Sequence, residues 1–66
     1  MHVTRIDQII LEKNGGHNLI SLEEWGELKT SERIHLILER KVNFFSNGAK
    51  VDAKTAVTVL LQQLAP

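Results

Sequence analysis

Apolar residues recur at helical spacing in four places along this chain. In the first, Ile6, Ile9 and Ile10 stand at i, i+3 and i+4, which sets them on one helical face. Thr4 is placed to cap that helix, and Asp7 brings a negative charge near its N-terminus, where the helix dipole favours it. Asn14-Gly15-Gly16 then tolerates the left-handed conformation of a helix end. This predicts a first helix over 5–13, followed by a connector, His17-Asn18-Leu19-Ile20.

Ser21-Leu22-Glu23-Glu24 has the spacing of a capping box, with Ile20 before it able to staple against Trp25. Leu22, Trp25 and Leu28 define the buried side of a second helix. Gly26 costs about 1 kcal/mol relative to Ala in a helix interior, so the helix is read as short, 22–28. Thr30 or Ser31 caps a third, whose expected buried stripe is Ile34, Ile37 and Leu38. The last starts at Asp52, a favoured N-cap. It repeats apolar residues at Ala53, Ala56, Val57, Leu60, Leu61 and Leu64, and this long 3.6-residue period outweighs the strand preference of Thr55, Val57, Thr58 and Val59.

Between the third and last helices the pattern admits two foldings. A longer helix reaching Phe45 would put Lys41 near the middle of its apolar stripe, a poor place for an ammonium group even on a flexible stem. Alternatively the helix stops near Arg40 or Lys41 and a hairpin follows, with strands Val42–Phe45 and Ala49–Val51 around Asn47-Gly48. Both turn residues accept positive φ. The turn pair and the position of Lys41 favour the hairpin. The expected fold is mainly α: residues 1–66 form a single compact domain of four helices, with a short β-hairpin over 42–51 before the last.

Composition narrows the function classes. A chain of 66 residues buries a modest core. Without Cys it has neither disulfides nor thiolate metal sites. Its formal charge is zero, so bulk electrostatics give polyanion binding no support. The charges are segregated, however. Residues 1–39 hold Arg5, Lys13, Lys29 and Arg33 against seven acids, whereas 40–66 hold Arg40, Lys41, Lys50 and Lys54 against Asp52 alone. No signal-peptide core and no run of membrane-spanning length appears. Met1 suggests an intact start, and a soluble, cytoplasmic protein without membrane association is expected.

The motifs of chemistry are sparse. Glu32-Arg33-Ile34-His35 matches the Glu-x-x-His spacing of di-iron bundles, but a complete site needs that motif twice and two further Glu. Ser21, Ser31 and Ser46 read as caps and a turn residue. Gly15-Gly16 lacks the Lys and Ser/Thr of a phosphate loop. No catalytic residue, metal site, cofactor or small-molecule ligand is expected. A helix-turn-helix reading pairs the second and third helices and offers Arg33 to DNA, yet Glu23, Glu24 and Glu27 would repel phosphate. A basic surface of Arg40, Lys41, Lys50 and Lys54 around the hairpin is the other nucleic-acid candidate.

The strongest lead is apolar surplus. Leu11, Leu36 and Val59 fall off the expected stripes, and Phe45 joins them in the hairpin folding. With Trp25 as an aromatic anchor, Leu36, Phe45 and Val59 form the expected interface. The expected role is a small non-enzymatic adaptor or regulator that acts by protein–protein contact with a partner or with itself as a homodimer. A DNA-binding regulator is the alternative.

Overall fold

A computed structural model describes residues 4–65. Met1, read above as an intact start, lies outside the described residues, as do His2, Val3 and Pro66. The order of elements is β1 (Gln8–Lys13), β2 (Gly16–Ile20), α1 (Leu22–Glu27), α2 (Thr30–Leu38), β3 (Val42–Ser46), β4 (Ala49–Val51) and α3 (Ala53–Gln63). The strands form one antiparallel sheet in the order β2-β1-β3-β4. The fold is therefore α+β, and the expectation of a mainly α four-helix domain is overturned.

The error lies in the first twenty residues. The Asn14-Gly15 pair does not end a helix; it is a two-residue hairpin turn with φ of 52° and 75°, which joins Lys13 to Gly16. Asn47-Gly48 turns in the same way, with φ of 52° and 81°. Positive φ at both central residues gives the turn the twist that antiparallel strands need. Ile6, Ile9 and Ile10 fit a helical face by spacing, but β-branched residues suit a pleated surface. Pairing with β3 decides the outcome: Ile9 lies opposite Phe44 and Leu11 opposite Val42. The second half follows the hairpin folding, so Lys41 stands before a strand and not in a core stripe.

One face of the sheet carries Ile9, Val42, Phe44 and Val51, all buried. The core above it is closed by Trp25 of α1 and by Ala56 and Leu60 of α3, with Ile6 entering just before β1. The Trp25 ring meets Phe44 edge-on at a centroid distance of 5.3 Å and 88°. Such a pair contributes about 0.5–1.5 kcal/mol beyond the area it buries. The capping box forms as the spacing predicts: the Glu24 amide donates to Ser21 Oγ at 3.0 Å and the Ser21 amide donates to Glu24 Oε1 at 3.1 Å. On α2 the N-cap is Lys29, which makes no side-chain cap. Thr30 Oγ1 instead accepts from Arg33 Nη2.

Polar side chains tie the ends of the sheet to the helix layer. Gln63 Oε1 accepts from the Ile6 amide at 2.8 Å, and Gln63 Nε2 donates to the Ile6 carbonyl at 3.0 Å. Asp7 is not a helix-dipole acid: its Oδ2 accepts from the Asn47 amide at 2.7 Å and so fastens the start of β1 to the second turn. At the end of α2, Arg40 sits at φ 56°. Its amide donates to the Ile37 carbonyl while that of Lys41 donates to Leu36. This is a Schellman closure with Arg in the place glycine favours. Asp52 caps α3 through Thr55, accepting from its amide at 3.0 Å and its hydroxyl at 2.8 Å. Those bonds hold the Asp52 carboxyl below the ordinary value of 3.8.

Three outcomes follow. Gln63→Ala strips two partners from the backbone of buried Ile6 and lowers stability in urea titration by about 1–3 kcal/mol. Arg40→Gly removes a left-handed penalty of about 1–2 kcal/mol against a smaller loss from greater unfolded-state freedom of about 0.4–1 kcal/mol; the urea midpoint rises. Asp52 favours the folded state above pH 3.8, and its contribution is lost as pH falls through its lower folded-state value. Asp52→Asn keeps a cap but flattens that part of the acid-unfolding curve.

Candidate functional site

The helix layer is more apolar than the sheet can cover. On α2 the side chains that pack against the core are Leu36 and Ile37, while Ile34 is 51% and Leu38 is 74% exposed. The expected stripe of Ile34, Ile37 and Leu38 is thus turned, with Leu36 inward. The same rotation occurs on α3. Ala56 and Leu60 are buried and Val59 packs beside them, while Leu61 is 71% exposed and Leu64 also faces solvent. What is left outside is a second apolar stripe on each helix.

The two stripes border one groove. Ile34 and Ile37 form one wall, and Val57, Leu61 and Leu64 form the other. Trp25 and Leu60, both buried, make the floor. Its volume is about 300 Å³. Thr30, Ala65 and Arg33 complete the lining, so Arg33 supplies the one charged group. Leu38 extends the Ile34 side of α2 by one turn. A cleft of this makeup can bury apolar side chains and pair with one negative charge at its rim. The Thr30 hydroxyl is already engaged by Arg33, and the lining holds no acid, imidazole or second hydroxyl for proton transfer.

The residues expected at an interface are dispersed. Trp25 is core and forms the groove floor. Leu36 and Val59 are half-buried against the core. Phe45 lies on the opposite face of the sheet, next to Lys50 across the strands, because alternation turns it away from Phe44. These four side chains do not form one patch. The signal for the groove was nevertheless present, in apolar arcs on both later helices wider than one buried stripe requires.

The basic residues also part company. Arg33 lines the groove among the helices, and Lys50 lies on the far side of the sheet. Lys41 precedes β3, Arg40 occupies the left-handed closure of α2, and Lys54 is exposed in the first turn of α3. Of these, Lys50 is separated from Arg33 by the sheet itself. Glu32 and His35 are exposed on α2, and no three His, Asp or Glu side chains among the described residues gather as metal ligands. No helix of the described residues is long and apolar enough to cross a membrane. No family model, curated protein or solved structure matches the chain.

Proposed function

We propose that the protein is a non-enzymatic interaction module whose α2–α3 groove receives an amphipathic helix of a partner protein. The observation that carries this reading is the exposed apolar side chains on two sides of one cleft, Ile34 on α2 and Leu61 with Leu64 on α3, with exposed Leu38 one helical turn beyond Ile34. Helix-in-groove recognition uses a row of apolar anchors at i, i+3 or i+4, and i+7. The groove offers apolar walls for such a row and one polar landmark, Arg33. The matching helix carries an acidic residue beside its apolar face, where it meets that guanidinium. This occupant suits the chain better than DNA, because the cleft is apolar with Arg33 as its one charged group, and Lys50 lies on the far side of the sheet.

The test is capture combined with crosslinking. A photoreactive side chain at position 61 is expected to label a helical segment of one partner, with labelled positions on one face and an acid near Arg33. Leu61→Ala is expected to weaken the complex about tenfold, since the apolar contact of a buried Leu is worth about 1.5–3 kcal/mol and 1.4 kcal/mol is a factor of ten. The same change leaves folding stability within about 0.5 kcal/mol, because Leu61 is mostly exposed. Labels scattered over unrelated proteins, or binding indifferent to Leu61→Ala, would overturn the proposal. So would salt-dependent DNA retention abolished by Lys41→Glu and Lys50→Glu.

A further inference from the structure

The two outer edges of the sheet are built differently. In a two-residue hairpin the residues flanking the turn exchange both backbone bonds, and bonded pairs then alternate along the strands. From the Lys13–Gly16 pair, the residues of β2 that bond to β1 are Gly16, Asn18 and Ile20. The Glu12 amide donating to Lys41 confirms the phase, since even-numbered residues of β1 turn toward β3. The amides and carbonyls of His17 and Leu19 therefore point out of the sheet. The same reasoning from the Ser46–Ala49 pair leaves only Lys50 facing outward on β4.

β4 has the protection that natural edge strands use: it is three residues long and centred on a lysine. β2 has none. It is five residues long and contains no Lys, Arg, Asp, Glu or Pro. Its burial is low along its length, and Leu19 is 65% exposed on the sheet face away from the helices.

We infer that β2 pairs antiparallel with β2 of a second copy of this chain, joining two four-stranded sheets into one of eight strands. One register uses every outward group. With the two-fold axis at Asn18, His17 of each copy lies opposite Leu19 of the other, and these two pairs exchange four backbone hydrogen bonds. Asn18 then faces its own counterpart at a closely spaced position, where two amides can bond each other. On the uncovered face, each row across the joined sheets runs from Ile10 and Leu19 of one copy to His17 and Glu12 of the other, because Ile10 pairs with Leu19 and Glu12 with His17, so Leu19 packs against the partner imidazole.

Charge favours the same occupant. Lys13 lines one end of the cleft between β2 and α1, and Glu24 and Glu27 line it too. The antiparallel axis sets the turn end of one β2, beside Lys13, against the Ile20–Ser21 end of the other, from which the helix carrying Glu24 starts. The lysine end of each edge is thus set toward the acidic α1 end of the other. The formal charge of the whole chain is zero, so the copies carry no net repulsion. This surface is separate from the α2–α3 groove and does not depend on its having a partner.

Sedimentation of the full chain across a concentration series tests the pairing, together with amide exchange on the same samples. The expected result is a twofold rise in mass, with exchange at the His17 and Leu19 amides slowed as dimer forms. His17→Pro removes one outward amide and no bond to β1, a place where an edge strand tolerates proline. Leu19→Lys gives the edge the protection found on β4. Both variants are expected to stay folded by circular dichroism and to lose the dimer, while Leu61→Glu in the groove keeps it. A wild-type chain monomeric at millimolar concentration would overturn the inference. So would a dimer that survives Leu19→Lys, or one abolished by Leu61→Glu and not by Leu19→Lys. Protection of these amides only on adding an extended peptide would give the edge to a different partner and overturn it equally.

Discussion

Phe44 is the residue on which the two halves of this small domain depend. Its backbone register sets it opposite Ile9 on one side and Val51 on the other, so one side chain spans the three strands that carry the core. Trp25 closes onto it from the helix layer. The first hairpin, the α1–α2 pair and the second hairpin therefore share a single packing centre. Eight buried apolar residues make up the core among the described residues, and no second core stands beside it there. Closing that centre takes a narrow part of each helix: one Trp from α1, Ala56 and Leu60 from α3, and no fully buried residue from α2. The apolar groups left over remain on the helix layer because the sheet face below them is already filled.

The same constraint explains what could be read in the sequence. Local chemistry was legible wherever one residue type answers one backbone need. Ser21 with Glu24, Asp52, and Asn47-Gly48 each marked a real boundary. Asn14-Gly15 carried the same turn signal as Asn47-Gly48, but the spacing of Ile6, Ile9 and Ile10 competed with it. A three-residue stretch of apolar spacing is short evidence for a helix, and the strand that pairs with β1 on its core side, β3, is more than thirty residues away. No local window contains that pairing. The lysine at position 41 was informative because it had only one acceptable neighbour, the solvent.

Helical phase was the second thing that local pattern left open. Each later helix has an apolar arc broad enough to hold two stripes, and spacing alone cannot say which one meets the sheet. On α3 the answer comes from size. Ala56, fully buried, lets the helix approach the sheet closely, and Leu60 one turn on shares its side. Gln63, one turn further, is held there by both hydrogen-bonding groups of Ile6. A polar residue thus fixes the rotation of an apolar helix, and Leu61 and Leu64 are turned outward as a consequence. The groove on α2 and α3 is the remainder of that choice.

The uncovered side of the sheet obeys a different logic. Three helices on one face leave the other to solvent, and there Gln8, Ile10, Phe45 and Lys50 alternate with the buried set. Antiparallel sheets carry such a face without difficulty when polar and apolar groups are mixed. An edge is less forgiving, since its backbone groups are polar, directional and identical from one chain to the next. A lysine at the middle of a three-residue strand makes β4 a poor template. The absence of Lys, Arg, Asp, Glu and Pro along Gly16-His17-Asn18-Leu19-Ile20 leaves β2 as the side on which the sheet can grow. In a domain whose interior is this small, adding strands at that edge enlarges the sheet without asking anything further of the core.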